Sequence, residues 1–166
     1  MGASGVLNSM GVDGFSYAVM DDPYVVETLL DMYGEWVIEL LDKVQGWGFD
    51  FVWFFDDIAY KTGPMFSPSI FREIFLPGLK KVADHVKLPW VYHSDGNLMP
   101  VLDDLLTLGM NAIHPLEPGP MDIEMVKRNY GHRACLIGNI DLHYTLTRGT
   151  PEEVDAEVKE RIEKIG

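Results

Sequence analysis

The sequence predicts an α/β fold in which amphipathic helices alternate with short buried strands, and three observations support this class. Apolar residues recur at spacings of three and four in the longer segments, which is the helical pattern. Short and almost wholly apolar runs, such as residues 49–55, suit strands buried on both faces of a parallel sheet. Because the two kinds of segment alternate four times, the strands are expected to be parallel and joined by helical crossovers.

The helices are predicted from their start and stop signals. Asp22 and Pro23 begin a helix that extends to residue 44, because an aspartate cap binds free amide groups and proline presets φ. This helical stretch, which follows a glycine-rich start, precedes the first strand. The later predicted helices cover residues 68–86, with a kink at Pro77, and residues 98–108, 122–130 and 151–164.

Polar residues follow every predicted strand. The strands cover residues 49–55, 88–92, 111–113 and 134–137, and they end at Asp56 and Asp57, His93 and Asp95, His114 and Glu117, and Asn139 and Asp141. Polar residues at these carboxyl ends, with no glycine-rich phosphate loop, favour a (β/α)₈ TIM barrel over a doubly wound sheet. A whole barrel takes about 250 residues. We therefore expect residues 1–166 to form one domain, a partial barrel of about four βα units from a longer protein.

Composition restricts the function. The chain has 13 Lys and Arg against 26 Asp and Glu, and its net charge of −13 disfavours nucleic acid and anionic membranes as partners. No apolar run approaches the roughly 20 residues of a membrane span. The same charge leaves a small molecule as the expected substrate. Cys135 is the only cysteine and has no partner for a disulfide, so a cytoplasmic protein is expected. Cys135 itself is predicted to be a buried, inert thiol. Open sheet edges predict self-association.

Several segments together resemble the uroporphyrinogen decarboxylase superfamily. This superfamily contains (β/α)₈ enzymes of two kinds, the decarboxylases of porphyrin biosynthesis, which are lyases, and the zinc-dependent corrinoid methyltransferases. The resemblance extends over residues 15–166. The residues that carry it are Asp22-Pro23, Gly48-Phe49-Asp50, Phe55-Asp56-Asp57, Ser67-Pro68, His93-Ser94-Asp95-Gly96-Asn97, Gly138-Asn139-Ile140-Asp141 and Gly149-Thr150-Pro151-Glu152-Glu153.

The resemblance implies a metal site at His93 and Asp95. In the methyltransferases a His-x-Cys pair at a strand end holds zinc and a later Cys completes the site, whereas this chain has Asp95 in place of the first Cys. Imidazole and carboxylate both bind zinc, and a carboxylate widens the choice of divalent metals. The later ligand would fall beyond Gly166. The alternative is that residues 95–97 form a turn that caps the next helix.

The remaining candidates surround this pair. Asp56 and Asp57 are predicted catalytic residues, because neighbouring carboxylates at a barrel mouth can raise one pKa for acid or base catalysis, although one of them can instead cap the loop. Glu117 is a candidate ligand, base or substrate contact, or a solvated loop residue. The resemblance places Asn139 and Asp141 in the substrate pocket, where turn chemistry is the alternative, and Tyr92 is a further possible substrate contact.

Three functions remain open at this stage. The first is metal-assisted methyl transfer from a small methylated substrate to a corrinoid or a thiol, with a corrinoid protein as a partner. The second is tetrapyrrole decarboxylation, whose catalytic aspartate and arginine-rich start would lie upstream of the matched region. The third is a partial barrel that binds a ligand without chemistry.

Overall fold

The computed structural model describes residues 1–166 and shows an α/β fold. Its helices are α1 (Ala3–Asp21), α2 (Pro23–Val44), α3 (Pro68–Ile70), α4 (Leu76–Ala83), α5 (Leu102–Leu106), α6 (Ile123–Tyr130), α7 (Thr145–Arg148) and α8 (Pro151–Ile165). Its strands are β1 (Val52–Phe55), β2 (Ala59–Tyr60), β3 (Gly63–Pro64), β4 (Trp90–His93), β5 (Ala112–His114) and β6 (Cys135–Leu136). No helix is both long enough and apolar enough to cross a membrane.

Four strands form one parallel sheet in the order β1-β4-β5-β6. The register pairs Phe55 with His93 and His93 with His114, so the last residues of three neighbouring strands stand side by side. The predicted α/β class and the four parallel strands are thus confirmed. The TIM barrel itself stays a prediction.

The helix signals read from the sequence correspond closely to the structure. Helix α2 spans the predicted residues, and Asp122 caps α6 by accepting a hydrogen bond from the backbone N–H of Met125. The predicted irregularity near Pro77 takes the form of a π-helical turn, Phe71–Phe75, between α3 and α4. The predicted helix over residues 98–108 is shorter, with a 3₁₀ turn at Met99–Val101 before α5.

Helix α1 is long despite its glycines. Gly11 breaks it, with φ of 71° and ψ of 160°. Gly5 lets α1 approach α2 closely, because a Cβ at this position would lie 2.9 Å from the ring of Tyr33. The buried side chains of Val6 and Phe15 join the core, so α1 and α2 pack as a pair of helices.

The two faces of the sheet differ in what covers them. Side chains alternate between the faces of a strand, and on one face Phe54 and Tyr92 are buried in the main core. On the opposite face Trp53 and Phe55 stack with ring centroids 5.8 Å apart, and Phe55 is 63% exposed. This second face, which also carries His93, is open to solvent near β1.

Two local features were not predicted correctly. The antiparallel pair β2 and β3 forms in the loop after β1, in a segment for which the sequence predicted no strand. Cys135 was expected to be buried, but it is exposed. The reason is that β6 lies at the edge of the sheet and is only two residues long.

Candidate functional site

An open cavity of about 600 Å³ lies at the carboxyl ends of β4, β5 and β6. Parallel strands place their carboxyl ends at one edge, so residues from distant parts of the sequence meet here. The cavity is lined by Lys61, from the turn between β2 and β3, and by residues at and after the ends of β4, β5 and β6: His93, Asp95, His114, Pro115, Glu117, Pro118, Gly138, Asn139, Ile140, Asp141, Leu142, His143 and Leu146. Five of the eight residues predicted as site residues are among them.

His93 lies at the end of β4 and is held on both ring nitrogens. Its Nδ1 lies 2.7 Å from Nδ1 of His114, and its Nε2 lies 3.3 Å from Oδ1 of Asp57. The His93 side chain is 13% exposed. The imidazole therefore has a fixed orientation between the cavity and the loop that follows β1.

Burial and the neighbouring His93 lower the pKa of the His114 imidazole, and the nearby Asp95 carboxylate opposes this shift. A lowered pKa favours the neutral ring at neutral pH. A neutral imidazole has one N–H donor and one acceptor nitrogen, which fits a single shared proton in the His93–His114 contact.

Asp57 connects the loop after β1 to the loop after β4. Its Oδ1 accepts a hydrogen bond from the backbone N–H of Asp95, at 3.0 Å, in addition to facing His93. The Asp57 side chain is 51% exposed and does not line the cavity itself. It adjoins the cavity through its contact with His93, which does line it.

The side chains of Asp57, His93 and Asp95 converge. One possible ligand atom from each residue lies within 4.8 Å of the others. A divalent ion held at ordinary bond lengths of about 2 Å brings its ligand atoms to about 3–4 Å of one another, so a small adjustment suffices. The chain thus offers a His and two Asp residues, whereas the sequence had placed the third ligand beyond Gly166.

Glu117 faces the same cavity from the loop after β5. Its Oε2 accepts a hydrogen bond from the backbone N–H of Gly96 at 3.1 Å, and its Oε1 lies 3.7 Å from Nζ of Lys61. Gly96 has φ of 84°, and a Cβ there would lie 2.5 Å from the carbonyl oxygen of Tyr60. Glycine is therefore required for the tight loop that carries Asp95.

Asn139 and Asp141 line the cavity from the loop after β6. Asn139 has φ of 73°, is 5% exposed, and its buried Oδ1 has no hydrogen-bond partner. Asp141 accepts hydrogen bonds from the backbone N–H groups of His143 and Tyr144, so its carboxylate also organises the turn before α7. An unpaired buried oxygen is costly, and Asn139 is therefore suited to accept a hydrogen bond from a ligand.

The structure places Asp56 and Tyr92 away from the cavity. The Asp56 carboxylate is fully buried at the start of α1, where it accepts hydrogen bonds from Ser4 N and Oγ at 2.8 and 3.0 Å. The Tyr92 hydroxyl is also buried, and it donates to the carbonyl oxygen of Asp56 at 3.2 Å. Burial raises the pKa of Tyr92 well above 10.0, so this phenol is protonated at neutral pH.

Three polar residues that line the cavity were not among the predicted site residues. His114 was recognised only as a polar strand end, and nothing in the sequence indicated its direct contact with His93. The signal was available in the expected parallel register, since both histidines end adjacent strands. Lys61 and His143 line the cavity through loops whose course the sequence did not predict.

The family model for uroporphyrinogen decarboxylase (URO-D) matches residues 4–166. The chain therefore belongs to this family. The family and the strand-end site together define the class of this protein: it is an α/β member of the uroporphyrinogen decarboxylase family whose polar residues lie at the carboxyl edge of a parallel sheet.

Individual relatives point to methyltransferases within this family. The chain is 28% identical over 137 residues to "Methylcobamide:CoM methyltransferase MtaA" from Methanosarcina barkeri, and a second sequence of this name, from M. barkeri strain Fusaro / DSM 804, matches equally. A solved methyltransferase from Methanosarcina mazei superimposes with a TM-score of 0.80 at 28% identity.

These matches cover unequal shares of the two chains. They include 82% of this chain and 40% of the curated relatives, and 93% of this chain and 45% of the solved structure. The chain thus spans less than half the length of the proteins it matches.

Proposed function

We propose that this chain carries the metal-binding and acceptor-binding part of a corrinoid-dependent methyltransferase. The observation that carries the proposal is the convergence of Asp57, His93 and Asp95 within 4.8 Å beside the cavity. The family membership and the methyltransferases among its relatives support methyl transfer over other chemistries. A methylated corrinoid, free or on a corrinoid protein, is the proposed donor and a small thiol the proposed acceptor.

The donor set suits a divalent cation. One imidazole and two carboxylates match zinc, and the exchange of thiolate for carboxylate also admits harder metals such as manganese or iron. A bound divalent ion would act as a Lewis acid that lowers the pKa of an acceptor thiol. The wider net charge of −13 adds to the attraction of a cation.

The residues around the ion would have separate tasks. His93 has a fixed ring that presents Nε2 toward Asp57, and Asp57 holds Asp95 through the backbone N–H of Asp95. Asp57 is also the proposed residue for accepting a proton, because its half-exposed carboxylate contacts His93 and the backbone of Asp95 through Oδ1, which leaves Oδ2 for a proton. In the reaction a methyl–cobalt bond breaks, a carbon–sulfur bond forms, and the thiol proton is released.

The rest of the cavity would position the acceptor. Asn139 offers a buried acceptor oxygen without a partner, and Lys61 offers a cation at the cavity rim. Glu117 holds Lys61 and the Gly96 loop, and Asp141 shapes the opposite wall. Lys61 is paired with Glu117, so the proposed acceptor is a small thiol that needs no further charge.

Tetrapyrrole decarboxylation, the alternative within this family, fits the cavity less well. Its substrate carries several carboxylates, which need cationic partners. The cavity lining has one lysine and no arginine, against three carboxylates from Asp95, Glu117 and Asp141. Such a substrate would meet like charges on most sides, and unpaired like charges in a site are unfavourable. Metal-assisted methyl transfer is therefore the proposal that we retain.

The test is a methyl-transfer assay of the protein with methylcobalamin and a panel of small thiols. Cobalamin absorbance reports demethylation, and mass spectrometry identifies the methylated thiol. We expect thiol-dependent demethylation that a chelator stops and zinc restores. Transfer that is insensitive to chelation would contradict the metal assignment. Metal and thiol binding without any transfer would favour a non-catalytic binding role.

A cytoplasmic location, proposed from the free Cys135, is testable by fractionation.

A further inference from the structure

His93 and His114 form an unusually direct pair of imidazoles. Their Nδ1 atoms lie 2.7 Å apart, and their ring centroids lie 4.9 Å apart at an interplanar angle of 28°, so the rings meet edge to edge with the two nitrogens facing each other. The parallel register of β4 and β5 places the two residues opposite each other. The contact is thus a product of the sheet and not of a mobile loop.

The short Nδ1–Nδ1 distance requires one proton between the two rings. Two lone pairs at 2.7 Å would repel, and two N–H groups would collide, so one nitrogen donates and the other accepts. The alternatives differ in which histidine carries the proton. If His93 carries it on Nδ1, a neutral His93 has its lone pair on Nε2, which is the atom that faces Asp57.

We propose that His114 is a positioning residue that accepts a hydrogen bond from Nδ1–H of His93 and so keeps Nε2 of His93 available as a metal ligand. This inference rests on the proposed metal site. It assigns to His114 the proton-accepting role that carboxylates or backbone carbonyls fill beside many metal-bound histidines. His114 then carries its own proton on Nε2.

The surroundings of His114 suit this role. The edge of its ring meets the Trp53 indole at a centroid distance of 5.1 Å and an interplanar angle of 80°. Its backbone carbonyl accepts a hydrogen bond from Ser94 N, the residue directly after His93. His114 is therefore fixed on the strand and to the chain that carries the ligand.

The geometry also explains why Asp57 alone is not sufficient to orient His93. Asp57 and a bound cation lie on the same side of the imidazole, at Nε2, so Asp57 cannot hold the opposite nitrogen. Without an acceptor at Nδ1, the ring is free to place its proton on Nε2 and donate to Asp57. That tautomer has no lone pair for a metal on Nε2.

The test compares zinc affinities of wild type, His114→Leu and His114→Gln by competition with a chromophoric chelator. Leucine removes the acceptor, and we expect the zinc Kd to rise about 10- to 100-fold, as for other outer ligand partners. Glutamine supplies an amide oxygen, and its Kd should lie within about threefold of wild type, which a loss of packing alone would not produce. The control is His132→Leu, at an exposed position outside the cavity. Circular dichroism verifies that each variant is folded.

Nitrogen-15 NMR of the zinc-loaded protein reads the proton position directly. We expect a proton on Nδ1 of His93, zinc on its Nε2, and a coupling between the two Nδ1 nuclei across the hydrogen bond. Unchanged zinc affinity in His114→Leu, or a proton found on Nδ1 of His114, would overturn the role of His114 alone. A wild-type protein that binds no zinc would instead overturn the proposed metal site on which this role depends.

Discussion

Replacing Asp57 by asparagine removes one charge from the proposed metal site while keeping its shape. The asparagine Oδ1 can still accept the hydrogen bond from the backbone N–H of Asp95, which Asp57 accepts at 3.0 Å. The loop geometry is therefore expected to survive. Any change in metal affinity can then be attributed to the carboxylate charge.

The magnitude follows from Coulomb's law. The charge of a carboxylate is centred about 3 Å from an ion that binds one of its oxygens at about 2 Å, so the two attract by about 3 kcal/mol in water and about 11 kcal/mol at an effective dielectric constant of about 20. Because the Asp57 side chain is 51% exposed, the lower part of this range applies. A loss of about 3 kcal/mol corresponds to an affinity about 10²-fold weaker.

The assay measures zinc binding by chelator competition and the methyl-transfer rate as a function of pH. We expect Asp57→Asn to weaken zinc binding about 10²-fold, to lower turnover by a similar factor, and to alter the pH profile if Asp57 also accepts a proton. Asp84→Asn is the control, since Asp84 lies outside the site in an exposed pair with Lys80. Equal zinc affinity in wild type and Asp57→Asn would refute the reasoning. A higher KM for the thiol at unchanged kcat and zinc affinity would limit Asp57 to positioning.

Three further predictions concern the sheet and its loops. The open face carrying Trp53 and Phe55 should make the 166-residue chain self-associate, and a monodisperse monomer in light scattering would contradict this. Gly96→Ala should lower the free energy of unfolding, measured in urea, more than Gly109→Ala does. Both glycines have φ above 80°, but only at Gly96 would a Cβ collide with the backbone of another segment. Equal losses in the two variants would refute the close approach of Gly96 to Tyr60. The pKa of His114 is lowered from 6.5 in the folded protein, so protonation favours the unfolded chain. The free energy of unfolding of the metal-free protein should therefore be greatest above pH 6.5 and fall as the pH drops toward the lowered pKa of His114. His114→Gln should flatten this slope.

The elements with strong local signals could be predicted from the sequence. Helix α2 has a first-turn proline and a sustained apolar stripe, and it begins and ends at the predicted residues, although the side chain of Asp22 makes no capping hydrogen bond. Helix α8 has a capping box between Thr150 and Glu153, and its start was predicted correctly. These signals act within a few residues, so no tertiary information was needed.

Helix α1 was not predicted because its stability comes from packing. The glycines of α1 lower its helix propensity. The stabilising role of Gly5 is visible only in the structure, where it allows close packing against Tyr33 on α2. The hairpin of β2 and β3 is likewise too short to carry a sequence pattern. Each of these elements depends on contacts that the sequence does not display.

The candidate site was predictable as a neighbourhood but not in its contacts. The strand-end rule brought His93, Asp95, Glu117 and Asn139 to one edge, where the structure places them around one cavity. The rule could not decide between Asp56 and Asp57, because successive residues turn to opposite sides. The structure turns Asp56 toward α1 and Asp57 toward His93.

The metal content of the purified protein tests the central claim most directly. Wild type, His93→Ala and His132→Ala are prepared under identical conditions, loaded with zinc, desalted and measured by inductively coupled plasma mass spectrometry. The proposed site predicts about one zinc ion per chain in wild type and in His132→Ala. It predicts almost none in His93→Ala, because this variant lacks the imidazole of the proposed ligand group. Equal zinc in wild type and His93→Ala would contradict a metal site at the end of β4.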